Sequence, residues 1–450
     1  MRLKLLTLAL ALAATSLPSH GEDLLDAYRD ARANDPVLAQ ADATRLSTGE
    51  GVDQARALLL PQISAGLTLS QSSSSGGNQT FEDPNNPGQF ISTSGFGHTR
   101  TRDINGQLSQ SVLDFSKYAN LKAAHSAAEA QDQTYQAAVQ DLFVRVTTAY
   151  FTVLTDEDQL TFAKANEDAY KRQYDQADQQ YKVGIAAITG AYQAKAAYEA
   201  AKAQTIAAQN TLDNDREALS QITGKPTGDL KKLRDDLPLD PPTPTDPDAW
   251  VKTALESNPS LLAQRDNVET AEHNISAARA GHLPTISANV TYGKSASWYQ
   301  NSDIHSNTPA STTIGLTLSV PIFSGGLTQS QVRQSIYQRD AAADSLESER
   351  RQIKANTLNY YRSVLAGIAQ VQSGKASVQS GQEALDATRA GYSVGTQTMT
   401  DVLLAIQTLT SSESSYSQAR HQFVVNKLLL QQAAGTADYK DIEAINALLQ

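Results

Sequence analysis

The sequence is written twice, and that repeat limits the possible folds more than any other feature. Asn34-Asp35-Pro36 opens a helix that runs to Leu60-Pro61, and Asn258-Pro259 opens one that runs to Leu283-Pro284 over an equal interval. Proline after Asn or Asp is the order of a first helical position behind an N-cap. The matches continue in register: Pro61-Gln62-Ile63-Ser64 with Pro284-Thr285-Ile286-Ser287, and Asp114-Phe115-Ser116 with Ile322-Phe323-Ser324. Tyr181-Lys182-Val183-Gly184 then matches Tyr392-Ser393-Val394-Gly395, and Thr223-Gly224 matches Ala434-Gly435. The two copies, 22–225 and 259–450, are joined by 226–258. There Pro238, Pro241, Pro242, Pro244 and Pro247 oppose regular structure over much of the length. Residues 436–450 form a C-terminal segment of the second copy.

Directly after each helix the hydrophobic period switches to two, which predicts a strand pair per copy, 62–73 with 102–113 and 285–296 with 311–322. Ile63, Ala65, Leu67 and Leu69 alternate with Ser64, Gly66, Thr68 and Ser70, and Ile314, Leu316, Leu318, Val320 and Ile322 alternate with Gly315, Thr317 and Ser319. One face is expected to be apolar and the other small, polar and free of charge, as a barrel with lipid outside and water inside requires. Loops rich in Ser, Gly and Asn, roughly 74–99 and 297–310, separate the strands of each pair. Four strands cannot close a barrel, and lipid tolerates no open edge, so the chain must oligomerise: three copies give twelve strands, two give eight.

From Ser116 to Val183 there is neither Gly nor Pro, enough chain for one helix of about 100 Å. It is too polar for lipid and so projects into water. Val139, Leu142, Val146, Tyr150 and Val153, then Tyr170, Tyr174, Ala177 and Tyr181, form a narrow apolar seam. In the second copy Val371, Val378, Leu385 and Tyr392 recur every seventh position, a coiled-coil spacing. Gly184 and Gly395 mark the turns from which further helices return, placing tips near 183–190 and 392–401.

Arg2 and Lys4, the apolar run Leu5 to Ala14 and Ser19-His20-Gly21 read as a signal peptide over 1–21, with the mature chain starting at Glu22. The chain has no cysteine, which excludes disulfides, thiolate metal sites and an N-terminal lipidated Cys. With 48 Asp+Glu against 37 Lys+Arg and no basic run, nucleic acid is not an expected partner. No nucleotide-binding loop, hydrolase elbow or histidine cluster stands out, so neither an enzyme nor a cofactor or metal is expected. The acidic run Asp156-Glu157-Asp158 reads as a solvated helix face.

Gly281-His282-Leu283-Pro284-Thr285, Ala390-Gly391-Tyr392-Ser393-Val394-Gly395-Thr396, Ala149-Tyr150-Phe151 and Gln221-Ile222-Thr223-Gly224 resemble the TolC family of outer-membrane efflux and secretion channels, in its non-lipidated branch. The resemblance runs over roughly 22 to 448. It implies a mixed α/β membrane protein in which four strands per chain enter a trimeric twelve-stranded outer-membrane barrel. Long antiparallel helices would form a periplasmic coiled-coil tunnel. It implies a passive exit duct for multidrug efflux or type I secretion, opened at its tip by a periplasmic adaptor and an inner-membrane transporter of RND, ABC or MFS type.

Carried over residue by residue, the resemblance places a gate at Tyr392 and Asp401, with Thr189 kept beside them. Gln397 stands where the family has a gate arginine, Leu404 at a second ring aspartate, and Gly190 at an aspartate that partners the tyrosine, so the closed state is expected to be weaker. Three Asp401 carboxylates around one axis would repel one another and raise the apparent pKa of the set. The adaptor would dock on Val183, Gly184 and Ile185 and on Val394, Gly395 and Thr396.

Overall fold

The computed structural model describes residues 22–75, 79–82, 86–93, 96–185, 187–299 and 305–450; the signal peptide expected over 1–21 lies outside them. The chain forms two compact units, one of residues 46–129 and 265–344, the other of 22–45, 130–264 and 345–450. Among the described residues no helix is long and apolar enough to cross a membrane.

The first unit is built on one antiparallel sheet. Its long strands are β1 (Gln62–Ser75), β4 (Phe96–Leu113), β5 (Thr285–Tyr299) and β7 (Ser311–Ser319), in the order β1-β4-β5-β7. A short β6 (His305–Asn307) also pairs with β5, and β2 (Gln79–Glu82) and β3 (Phe90–Thr93) form a separate hairpin within the expected Ser/Gly loop. Cross-strand partners share a face, so the register assigns the sides. Ile63 opposes Leu108, which opposes Val290, which opposes Ile314; Leu67 opposes Ile104. Ile63, Leu69, Ile314 and Leu316 are each more than two thirds exposed, so among the described residues nothing covers these side chains of the apolar face.

The polar face is less uniform than the alternation suggested. Asp103 lies on it, opposite Thr68 and Ser295, and Arg100, Arg102 and Lys294 fall on the apolar face. The expected strand to 322 stops at Ser319, just before Val320-Pro321, because proline cannot donate to a ladder.

The second unit is helical. Its long pairs are α3 (Phe115–Lys182) with α4 (Ile188–Thr223), and α7 (Leu327–Ser393) with α8 (Met399–Ala434); α3 and α7 begin in the sheet unit. The helix α3 has 68 residues, about 100 Å at 1.5 Å per residue. Leu142, Val146, Tyr150 and Val153 of its seam are fully buried, and Tyr170 and Ala177 nearly so, whereas Tyr181 is exposed.

The repeat reaches further back than the sequence pattern showed. Before α2 (Pro36–Ala57) lies α1 (Leu24–Asn34), and before α6 (Pro259–Ala280) lies α5 (Pro247–Ser257), each of eleven residues. The last part of the proline-rich segment is therefore helical, with Pro247 in the first turn behind Asp246, whose side chain accepts from Asp248 N. A terminal helix α9 (Tyr439–Asn446) packs on α1, and Leu24, Tyr28, Tyr150, Phe151, Leu428 and Ile442 meet in the main core. The Tyr150 hydroxyl donates to the carbonyls of Glu22 or Lys231, at 3.0 and 2.9 Å.

The acidic run is not a solvated face. Glu157 pairs with Arg216 at 2.7 Å and Asp158 accepts from Ser417 Oγ at 2.7 Å, while burial and the neighbouring Asp215 push Asp156 up to about 7. These groups sit where helices pack, which a single-helix projection cannot show.

Two glycine arrangements set the close approaches. Gly224 and Gly435 end α4 and α8 in the left-handed region, at φ +70° and +73°. A Cβ on Gly224 would lie 2.6 Å from Asn34 Cβ, and one on Gly435 2.5 Å from Asn258 Cα and Ser257 O, so each returning helix stops on the junction that opens its own copy. In α7, Gly367, Gly374 and Gly381 recur every seventh position and face Phe423, Tyr416 and Leu409 of α8. Each such glycine costs about 1 kcal/mol of helix propensity relative to alanine, which the close contact of the two helices offsets.

Two expectations follow. Gly435→Ala should lose more than about 3 kcal/mol, combining left-handed strain of about 1–2 kcal/mol with a collision against backbone. Gly184→Ala, with φ +74° but open space, should lose only the strain. Equal losses in chemical unfolding would contradict this account. In the seam, a Cβ on Gly374 would lie 3.3 Å from Tyr416 Cα, whereas at Gly381 the nearest atom is 3.5 Å away. Gly374→Ala should thus lower the thermal midpoint and Gly381→Ala should raise it. Two shifts of the same sign would show that α7 and α8 are not held at this separation.

Candidate gate and docking tips

Both tips are built by the same backbone turn. At the end of α3, Gly184 N donates to Tyr181 O at 2.9 Å and Ile185 N to Gln180 O at 2.9 Å, with Gly184 at φ +74°. At the end of α7, Gly395 N donates to Tyr392 O at 3.2 Å and Thr396 N to Gly391 O at 2.9 Å, with Gly395 at φ +81°. This is the Schellman cap, in which a left-handed glycine satisfies the last carbonyls of the helix. Thr396 Oγ1 adds a bond to Gly391 O at 3.0 Å. Val183, Ile185 and Val394 are 66%, 79% and 74% exposed, so each turn presents bare apolar side chains beside a residue without one.

The returning helices start differently. In α8, Thr398 is the N-cap and Asp401 the third helical residue, and the two form a capping box. Thr398 N and Oγ1 donate to Asp401 Oδ2 at 2.7 and 2.6 Å, and Asp401 N donates to Thr398 Oγ1 at 3.2 Å. Those bonds hold the Asp401 carboxyl below the usual carboxylate range within one protomer. In α4 the matching positions are Ala187 and Gly190, and no side chain caps the helix. Gly190 N reaches Ala187 O at 3.2 Å, and open space surrounds its Cα. Thr189, in that same first turn, is exposed.

Tyr392 helps to join the tips. Its hydroxyl donates to Gln180 Oε1 at 2.9 Å, tying the end of α7 to the end of α3, and partial burial raises the phenol's pKa above its ordinary value. Gln397 folds over its own turn, its Cγ 2.7 Å from where a Cβ on Gly391 would stand. Leu404 is 55% exposed on α8. Tyr392, Gln397 and Asp401 thus share one tip, whereas Thr189 and Gly190 lie at the other, and the tyrosine bonds to Gln180 rather than to either.

Sequence reasoning missed Gln180 and Thr398. The Thr-x-x-Asp spacing before Val402-Leu403 was a readable capping signal. Gln180 carried none, because only packing of α7 on α3 selects it. Behind the tip, Thr410 Oγ1 meets Asn166 Oδ1 at 3.4 Å, Ser414 Oγ meets Gln159 Oε1 at 2.8 Å and Tyr170 Oη meets Leu403 O at 3.3 Å, a neutral polar seam between α3 and α8.

A sheet with one bare apolar face, and paired helices of this length ending in capped tips, define a channel of the outer-membrane barrel-and-tunnel class. The family described as outer membrane efflux protein matches residues 27–225 and 250–436. Outer membrane protein TolC of Escherichia coli (strain K12) is 34% identical over 456 residues, covering 98% of this chain and 88% of that one. The alkaline protease secretion protein AprF of Pseudomonas aeruginosa is 26% identical over 94% and 86% of the two chains. The crystal structure of the Campylobacter jejuni CmeC outer membrane channel superposes with a TM-score of 0.75 at 17% identity, over 95% and 90%.

The chain belongs to the outer membrane efflux protein family. It is an outer-membrane export channel and not an enzyme, and its four long strands are one third of a homotrimer's twelve-stranded barrel.

The capping box yields a pH expectation. A depressed carboxyl pKa means that the cap's contribution is complete above the ordinary value of 3.8 and is lost as pH falls through the folded one. Thr398→Ala should lower the protection factor of the Asp401 amide at neutral pH, and acidification should lower that of the Thr398 amide in the wild type. Unchanged exchange in Thr398→Ala would show that the first turn of α8 is held by something else.

Proposed function

We propose that the tip holding Tyr392 and Asp401 is the periplasmic gate of a passive duct, and that the two Val-Gly turns receive a periplasmic adaptor. The observation that carries this reading is the Tyr392–Gln180 bond, a neutral link between α7 and α3 beside an exposed carboxylate. Rotation of α7 and α8 away from α3 breaks that link and, among the described residues, separates no ion pair between them. Three Asp401 carboxylates around the axis favour cations and bind a multivalent one. Gln397 and Gly190 add no charged link, and Leu404 leaves the ring one layer deep, so the closed state opens readily.

The adaptor reads Val183, Gly184, Ile185, Val394, Gly395 and Thr396, whose exposed apolar groups flank a glycine that lets a partner backbone approach. An inner-membrane transporter of RND, ABC or MFS type supplies the energy. Likeness to a protease secretion protein favours polypeptide cargo alongside small molecules.

The test is planar-bilayer recording with a trivalent cation on the periplasmic side. Asp401→Asn should lose block, Leu404→Asp should tighten it, and Tyr392→Phe should raise resting conductance. Undiminished block in Asp401→Asn would place the constriction elsewhere. Replacing Gly184 or Gly395 by a bulky residue should abolish export while the trimer persists, and normal export in both would remove the docking assignment.

A further inference from the structure

The lipid-facing side of the sheet carries a cluster of cations that nothing in the gate or tunnel uses. Cross-strand pairing places Arg102 beside Leu69 and Ala296, Lys294 beside Ile104, and Arg100 beside Gln71 and Trp298. All three are therefore on the face of Ile63, Leu67 and Val290, and they lie at the end of the strands away from the helices. From Ile286 to Lys294 is about 27 Å along the strand, or about 20 Å of depth at the ~40° tilt of such barrels. That depth puts the cations at the outer edge of an apolar band about 25 Å tall.

The cluster is uncompensated among the described residues. Among the described residues none of the three makes an ion pair, and no carboxylate lies on this face of β1, β4, β5 or β7. Asp103, the nearest acid in sequence, points to the opposite side. Arg100 Nε donates to Gln71 Oε1 at 3.0 Å, and the Arg102 guanidinium sits 5.6 Å from the Trp298 ring centre. These contacts orient the guanidinium groups without neutralising them. Tryptophan at the water boundary is the usual anchor of a membrane strand.

We propose that Arg100, Arg102 and Lys294, with Trp298, bind the phosphorylated headgroup of an outer-leaflet glycolipid, whose acyl chains lie along Ile104, Leu67 and Leu69. The argument is charge complementarity on a surface continuous with the lipid-facing band. Arginine forks match phosphate bidentately, and a cation on the lipid face without a counter-charge is otherwise unfavourable. The site would fix the barrel's depth and orientation in an asymmetric membrane.

The experiment uses the full-length mature trimer in non-ionic detergent, titrated with bisphosphorylated lipid A and with its dephosphorylated form by native mass spectrometry. The wild type should prefer the bisphosphorylated form by about tenfold or more. The combined Arg100→Gln, Arg102→Gln and Lys294→Gln variant should bind both forms equally, and Arg100→Lys with Arg102→Lys should retain a preference. Millimolar inorganic phosphate should not displace the lipid, because it lacks the acyl contacts. Equal binding of both forms by the wild type, or an undiminished preference in the triple variant, would overturn the proposal. So would dissociation of the triple variant's trimer in lipid-free detergent, which would assign the cations to a salt bridge across the protomer boundary.

Discussion

Unpaired backbone groups along a sheet edge cannot face hydrocarbon, and the rest of this structure depends on that constraint. Of the four long strands, β1 and β7 are the outer two of a sheet whose apolar side is exposed. Within one chain neither the edges nor the face can be satisfied. Pairing β1 of one protomer with β7 of the next removes every edge, and lipid covers the face. Trimer formation is thus a condition for the barrel to exist in a membrane.

The helical unit meets a different problem, since helices near 100 Å have little chance of sharing one compact core. Burial is concentrated where α1, α3, α8 and α9 meet, around Tyr28, Tyr150 and Phe151. Toward the tips it thins to small clusters containing alanines, such as Ala177, Ala191 and Ala194 with Met399. In the far reach of the helices, neutral hydrogen bonds and glycine contacts hold position where a core would elsewhere. Contacts of this kind are each worth about 1 kcal/mol, which suits segments that have to part and close again.

The internal repeat is a repeat of backbone devices more than of side chains. Both copies open with an eleven-residue helix, stop their returning helix on a left-handed glycine and turn at a Schellman cap. They differ in what decorates those devices. Asp35 accepts a bidentate Arg145 pair at 2.7 and 3.1 Å, whereas its counterpart Asn258 reaches the Ala433 carbonyl at 3.0 Å. The first tip restarts without a cap, while the second has the Thr398–Asp401 box. The shared backbone holds both halves in one frame, and the asymmetry puts a carboxylate cap on the restart of the second tip alone.

The strand pairs, the long helices, the two tips and the family were all legible in the residues, because each depends on local pattern. Alternation at period two, absence of Gly and Pro, and a glycine after a helical run are properties of neighbours along the chain. The same reasoning read the Asp156 run as solvated and the polar sheet face as uncharged, since neither packing partner nor register is a local property. The α5 helix was hidden by its own Pro247, which opens a helix only behind the Asp246 cap. Gln180 as the partner of Tyr392, and Arg100, Arg102 and Lys294 as one cluster, required tertiary structure. Each joins residues from strands or helices far apart in sequence, and only the observed register and packing bring them within reach of one another.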